Sequence, residues 1–431
     1  MTGPLVLPRS EHPMSRADIE DNALGVLHRL VANGHSAYLV GGSVRDLLLG
    51  RTPKDFDVGT DARPSKIKKI FRNSRIVGRR FRIAHVYFSD GGIIEVATFR
   101  RGSQETILTP KGKTILRDNE YGTPEEDARR RDLTINGLFY DIKTFSVIDY
   151  VGGVEDLREG VVRTINDPDV SFAEDPVRII RTQRHAARLG FAIEEATWES
   201  LLRNRQRIIE ANPSRLLEET LKDLRSGSAT SYYQSIQRSE VLDYLLPPLA
   251  RQLNQEGERH PLWRRLAALD ERTQAGASYS SPTLLALLLH TVLLPTPKHW
   301  EAAISNPSDA WQKMQDPLQA VTVAIQISRR DIERMFQVVM AYRKIMLSVD
   351  AEKLQRNLRG KAYLAEALDF AEIDLLSRGL PTDRILAWRS TSSPPAVRER
   401  ASDAARRDRD DRPTRRRGRR RRPRRPKAPE A

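Results

Sequence analysis

The 431-residue chain contains no cysteine, which excludes disulfides, thiolate catalysis and cysteine-ligated zinc. A reducing cytosol is compatible with that absence. Long apolar runs are also missing. The most apolar stretch, "LLALLLHTVLLP" from Leu284, is too short to span a bilayer and contains His290, so it reads as a buried core helix. The N-terminal "MTGPLVLPRSEHPMSRADIED" is interrupted by proline and charge and has no signal-peptide core. These features give a cytoplasmic expectation with no membrane partner. Neither a Walker A motif nor a G-x-G-x-x-G fingerprint occurs, so the common phosphate-loop folds are unsupported. No internal repeat is found.

What the chain has in excess is positive charge. The formal net charge is +15, which points to an anionic partner. Its distribution is uneven: "RPTRRRGRRRRPRRPK", from Arg412 to Lys427, carries +11 of the +15 and leaves +4 for the rest. From Ser390 onward the composition cannot bury enough apolar surface to offset its ordering entropy, so residues 390–431 are expected to form a disordered tail. Such a tail either solvates the protein or tethers nucleic acid through counterion release, and so much charge of one sign favours the tether.

The length suits two or three domains. "IEDNALGVLHRLVANG" has helical spacing and a glycine stop. "AYLV" reads as a buried strand, "GG" as a turn, "SVRDLLLG" as a short helix and "DFDVGT" as a second strand. "FRIAHVYF" and "IIEVATF", joined by "SDGG", form a hairpin signature. Residues 100–116 have no clear period and read as a mobile loop. From about Val161 to Leu386 the pattern is nearly all helical. The fold class is therefore α+β, a mixed sheet followed by helices.

In "DFD", Asp55 and Asp57 stand two apart. On a strand they would share one face at about 7 Å between Cα atoms. Mg²⁺ bridging would satisfy such a pair, and a solvated strand end is the bland alternative. Upstream, Gly41 and Gly42 allow backbone N–H groups to approach an anion, and Arg45 one turn later could add a charge-assisted contact to a triphosphate. In "EDPVRIIRTQR", Pro176 suits a first helical turn, with Glu174 and Asp175 at its positive end. Arg178, Arg181 and Arg184 recur every three residues. An acid beside a guanidinium can read a nucleobase edge; an ordinary Glu174–Arg178 pair is the competing reading.

"LVGGSVRDLLLG…KDFDVGT", "RRRDLTINGLFYD", "DYVGG" and "EDPVRIIRTQRHAARLGF" occur in this order. Together they resemble the class II nucleotidyltransferases of the DNA polymerase β superfamily, which include tRNA CCA-adding enzymes and bacterial poly(A) polymerases. The resemblance covers roughly Ala23 to Leu245. It implies a nucleotidyltransferase head with a five-stranded mixed sheet, followed by all-helical neck and body domains. The implied divisions are an extension (1–20), the head (21–153), a base-recognising neck (154–215), an RNA-binding body (216–389) and the tail. By resemblance, Asp55 and Asp57 are the metal-binding pair and Asp132 is the third catalytic acid. Glu95 is a rival to Asp132 on strand geometry. Gly41, Gly42, Arg45, Arg131 and Asn136 would contact triphosphate and sugar, and Glu174, Asp175, Arg178 and Arg181 would contact the base. Mg²⁺, with Mn²⁺ as the alternative, is the implied cofactor, and ATP the implied substrate.

Poly(A) polymerases and CCA-adding enzymes share these motifs. "RNSRIVGRRFRIAHVYF" and the arginine tail resemble the poly(A) polymerases, and no His-Asp phosphohydrolase pattern is present. The expectation is template-independent polyadenylation of RNA 3′ ends by a monomer, with association with RNA-decay machinery as a further partner. CCA addition is the alternative, and an inactive RNA-binding relative is a third reading.

Overall fold

The computed structural model describes residues 3–78, 82–101, 106–108, 114–116, 120–293, 307–347 and 351–392. The arginine run and residues 79–81 of "GRRFRIAHV" lie outside them. The expected tail boundary shifts, because residues 390–392 complete the helix Asp383–Ser392.

The first half is built from β1 (Leu5–Leu7), α1 (Asp21–Ala32), β2 (Ala37–Val40), α2 (Gly42–Leu48), β3 (Asp57–Thr60), α3 (Pro64–Ile70), β4 (Ser74–Val77), β5 (Ile83–Tyr87) and β6 (Ile93–Thr98). Then come β7 (Thr106–Leu108), β8 (Thr114–Leu116), α4 (Pro124–Arg129), β9 (Leu138–Asp141) and β10 (Ser146–Asp149). One mixed sheet runs β1-β10-β9-β2-β3-β6-β5-β4. Its β3–β6 pair is parallel and its other neighbours are antiparallel.

The sheet has eight strands rather than the expected five. Two of the three additional strands are its edges, Leu5–Leu7 against β10 and Ser74–Val77 against β5. Runs of three or four residues are too short to display a period of two, so the sequence hid both edges. The Asp90–Gly91–Gly92 hairpin between β5 and β6 is present, with Gly91 at φ 88° and Gly92 N donating to Asp90. Within the stretch expected to be a mobile loop, β7 and β8 pair antiparallel as a separate ribbon; its residues 102–105 and 109–113 lie outside the described set.

Behind the sheet follow α5 (Gly153–Glu159), β11 (Val161–Val162), α6 (Pro168–Glu174), α7 (Val177–Leu189), β12 (Ala192–Ile193), α8 (Glu195–Asn204) and α9 (Pro213–Leu224). Further helices continue to Ser392. Asn212 and Asp167 cap α9 and α6 through their side chains, each ahead of a proline at the first helical position. The helix Ser281–Leu293, which contains "LLALLLHTVL", is buried along most of its length. No helix among the described residues is long and apolar enough to cross a membrane.

Two large apolar clusters organise these elements. One fills the sheet and its covering helices; the other runs from Phe172 to Trp388. Helix α7 serves both, giving Ile179 and Ile180 to the helical cluster and Ala186 and Leu189 to the sheet cluster. The Gly152–Gly153 joint is pinned by hydrogen bonds to its backbone. The Asp149 carboxylate accepts from the N–H groups of Val151, Gly152 and Val154. A Cβ at Gly153 would lie 2.2 Å from Thr134 O, so glycine is needed there for close approach.

Candidate active site

A cleft of about 780 Å³ opens between the sheet and helices α7 and α9, within the range of small-molecule sites. Asp55 and Asp57 lie on its wall. Only Asp57 is on a strand; Asp55 sits in the approach to β3, with Phe56 turned into the core. The shared-face geometry expected of a continuous strand therefore applies to Asp57 alone. Among the described residues neither carboxylate has an ion-pair partner. Asp57 reaches solvent through the cleft mouth, yet protein surrounds it on most sides. Burial pushes its carboxyl up to about 6, Glu95 and Asp55 add to the rise, and Arg131 and Lys222 oppose it.

Glu95 stands in register with Asp57 across the parallel β3–β6 pair, and strands in that position are about 4.8 Å apart. His85 extends the row, with its Nε2 3.2 Å from Glu95 Oε1. Glu95 is thus the nearest lateral acid to the pair. Asp132 is placed differently. Its Oδ2 accepts from Arg181 Nε at 2.6 Å, and its Oδ1 accepts from Asn136 Nδ2 and from Leu133 N. Burial would raise this carboxyl, but the Arg181 guanidinium outweighs burial and holds it well below the usual range. Among the described residues no three acids or histidines form a preassembled metal cage. Two open carboxylates in a cleft lined by lysine and arginine still suit Mg²⁺, which keeps several waters and binds through one or two carboxylates plus substrate phosphates.

Gly41 adopts φ 73° and ψ −130° at the β2–α2 turn, a region closed to other residues. A Cβ there would meet Arg131 Nη1 at 2.9 Å. Glycine therefore lets Arg131 lie against the turn. Arg131 is held by Asp127, by Asn136 O at 3.2 Å and by the face of Phe139. Sequence reasoning passed over Asp127, although its spacing to Arg130 and Arg131 is the i,i+3 and i,i+4 pattern of helical ion pairs.

Arg45 is turned inward and is only 1% exposed. Its guanidinium donates to Asp46 Oδ1 and Asn136 Oδ1 and meets His185 Nδ1. Burial lowers its pKa, with Asp46 opposing. It lines the cleft and opens a chain of polar contacts. The chain runs from Asp46 through Arg45, Asn136 and Asp132 to Arg181, and on through Glu219 and Arg184 to Asp223. His185 fills the space behind it, and burial beside Arg45, Arg184 and Arg181 keeps it neutral. Asp223, wholly enclosed, is pushed up to about 7 by burial while Arg184 opposes. This chain couples α2 of the sheet unit to α7 and α9.

At the start of α7, Glu174 is the last residue of α6 and Asp175 lies between the two helices. Both oxygens of Asp175 accept from Arg215 of α9, at 3.0 and 2.9 Å. Arg178 donates to Glu174, Ser171 and Arg130 O. Asp175, Arg178, Arg181 and Arg215 all line the cleft. The same wall holds Lys54, Lys222 and Arg225, whose roles the sequence did not suggest.

A mixed sheet presenting an aspartate pair beside a glycine turn, with a helical unit closing the cleft, defines the nucleotidyltransferase class. The family model described as "Poly A polymerase head domain" matches residues 37–163, and that described as "Probable RNA and SrmB- binding site of polymerase A" matches residues 190–253. In these two segments the chain resembles the poly(A) polymerase family. Poly(A) polymerase I of Salmonella typhi is 48% identical over 259 residues, covering 59% of this chain and 56% of the relative. The CCA-adding enzyme of Bacillus velezensis is 31% identical over 224 residues, covering 52% and 55%. The chain thus spans about half the length of the curated relatives it matches. The solved Bacillus stearothermophilus CCA-adding enzyme in complex with CTP superposes with a TM-score of 0.57 at 23% identity, covering 85% of this chain and 80% of that one. At that identity the likeness speaks for the fold.

Proposed function

We propose that the protein is a polynucleotide adenylyltransferase that extends RNA 3′ ends from ATP without a template. The observation that carries this reading is the identity contrast: 48% over 259 residues to a poly(A) polymerase against 31% over 224 residues to a CCA-adding enzyme. In the reaction the acceptor 3′ oxygen bonds to the α-phosphorus of ATP, its proton is lost, and the bond to pyrophosphate breaks. Asp55 and Asp57 would hold Mg²⁺, with Glu95 beside them, and the ion would supply charge neutralisation on the triphosphate and a more acidic acceptor hydroxyl.

The remaining work belongs to the chain. Arg131, fixed against the Gly41 turn by Asp127, offers its guanidinium to the departing phosphates. Asp132, clamped by Arg181, orients Asn136 and faces the nucleotide sugar. Asp175 and Arg178, braced by Arg215 and Glu174, present an acceptor and a donor to the base edge. The head and the helical unit close on the nucleotide from two sides, which excludes water from the reacting centre.

Purified protein incubated with Mg²⁺, an oligo(A) primer and each nucleoside triphosphate separately tests the reading. Long ladders with ATP are expected. Addition restricted to CCA on a trimmed tRNA would replace it with CCA addition, and no extension at all would favour an inactive RNA binder.

A further inference from the structure

Transfer in line places the entering and leaving oxygens on separate sides of the phosphorus. Such a centre needs one set of groups for the departing pyrophosphate and a second set for the acceptor strand. The head supplies the first set, Arg131 at the Gly41 turn. A second cationic group enters the same cleft from the helical unit. Lys222 lies in the last turn of α9 and Arg225 caps that helix. Both line the cleft with Asp55 and Asp57. Lys54, immediately before Asp55, donates its Nζ to Arg225 O at 3.2 Å, drawing the three cations together. Arg225 Nη2 donates to Ser281 Oγ at 2.9 Å. Lys222 Nζ stands 3.5 Å from Glu219 Oε1, and its side chain remains 59% exposed.

Helix α9 has a second contact along its length. Arg215 in its first turn holds Asp175 at the base-reading end. Lys222 comes seven residues later, about 10 Å along the axis at 1.5 Å per residue. One helix therefore spans the cleft from the nucleotide base to the carboxylate pair.

We propose that Lys222, supported by Arg225 and Lys54, binds the phosphate linking the last two nucleotides of the RNA acceptor and so sets its 3′ hydroxyl over the carboxylates. This assignment rests on the adenylyl-transfer reading. Phosphates of the acceptor and of ATP share one chemistry, and the experiment separates them. Lys222→Ala is expected to raise the primer KM about tenfold, the loss of one charge-assisted contact, and to leave the ATP KM within about twofold. The log–log salt slope of primer binding, measured by anisotropy without ATP, falls by about 0.7. Lys222→Arg retains most of the affinity, and an unchanged melting temperature in both variants shows that the fold persists.

A primer carrying a neutral methylphosphonate at its 3′-most linkage weakens binding to wild type by a similar factor and costs Lys222→Ala little more. A helix-end lysine serving only the helix dipole would not show that non-additivity. Independent losses from the two changes, an unchanged primer KM, or a rise confined to the ATP KM would overturn the assignment. Failure of wild type to extend any RNA would count against the adenylyl-transfer reading, while the anisotropy measurement still decides the role of Lys222.

Discussion

Arg181 of α7 donates its Nε to Asp132 at 2.6 Å, a charged contact from the helical unit to the loop that precedes β9. The Asp132 side chain is only 10% exposed. Removing one member of such a pair leaves an uncompensated charge in a low-dielectric setting. Asp132→Asn should lower the unfolding free energy by about 3 kcal/mol, read from urea midpoints at neutral pH. The sign with pH follows from the depressed carboxyl. Its stabilisation is present above the unfolded value near 3.9 and is lost as pH falls below it. Wild type should therefore lose more stability than the variant between about pH 5 and pH 2. Equal losses would show that the contact contributes nothing.

Asp57 and Glu95 stand in register across the parallel β3–β6 pair, and Glu95 helps to push the Asp57 carboxyl up. Replacing either one removes repulsion from the metal-free protein, so Asp57→Asn and Glu95→Gln should not lower its melting temperature. Mg²⁺ stabilises whatever binds it by mass action. Added Mg²⁺ should raise the melting temperature of wild type and fail to do so in Asp57→Asn, which should also lose primer extension while retaining primer binding. Residual extension in Asp57→Asn would sink the two-carboxylate site. A normal Mg²⁺ response in Glu95→Gln would remove Glu95 from it.

Gly41→Ala tests whether the turn serves Arg131. The added methyl enters a strained backbone region and meets Arg131 at 2.9 Å. A backbone penalty of about 1–3 kcal/mol is expected in the folded state, together with a higher ATP KM because Arg131 must move. The primer KM should stay near the wild-type value. Stability lost with an unchanged ATP KM would confine Gly41 to a folding role.

What the sequence made legible and what it hid divide along physical lines. The β2 strand, the Gly41–Gly42 turn, the α2 helix and the β5–β6 hairpin were readable, because each is fixed by a local signal within a few residues. The two edge strands were not: Leu5–Leu7 depends on a partner distant in sequence, and Ser74–Val77, although it pairs with the next strand, is too short to show a period. At the site, residue identity was legible and direction was not. Arg45 looks like a phosphate ligand by its spacing, yet Asp46 and Asn136 draw it inward. Lys222 looks like a solvated helix end until α9 is seen packed along the cleft.

Arg215 and Asp175 give a prediction about selectivity. The bidentate pair fixes the carboxylate offered to the base edge. Arg215→Ala should leave Asp175 free to rotate and lower the ratio of kcat/KM for ATP over CTP about tenfold, equivalent to about 1.4 kcal/mol. Overall stability should change little, since the Arg215 side chain is half exposed. An unchanged ratio would mean that Arg215 only braces α6 against α9.

The arginine run lies beyond Ser392, where the last described helix ends, so a truncation that tests it belongs there. The segment Arg412–Lys427 carries +11, and each single-strand phosphate that its side chains neutralise contributes about 0.7 to the log–log salt slope. Only three such contacts would make the slope of RNA binding flatter by about 2 in the truncated protein. Transfer of a single nucleotide at saturating primer should be nearly unaffected, because the cleft residues all lie before Ser392. The comparison is binding to a long RNA at low and moderate salt, with and without residues 393–431. Equal slopes would assign the charge to solubility. A flatter slope with intact single-nucleotide transfer would make the run a tether that keeps successive 3′ ends near the cleft.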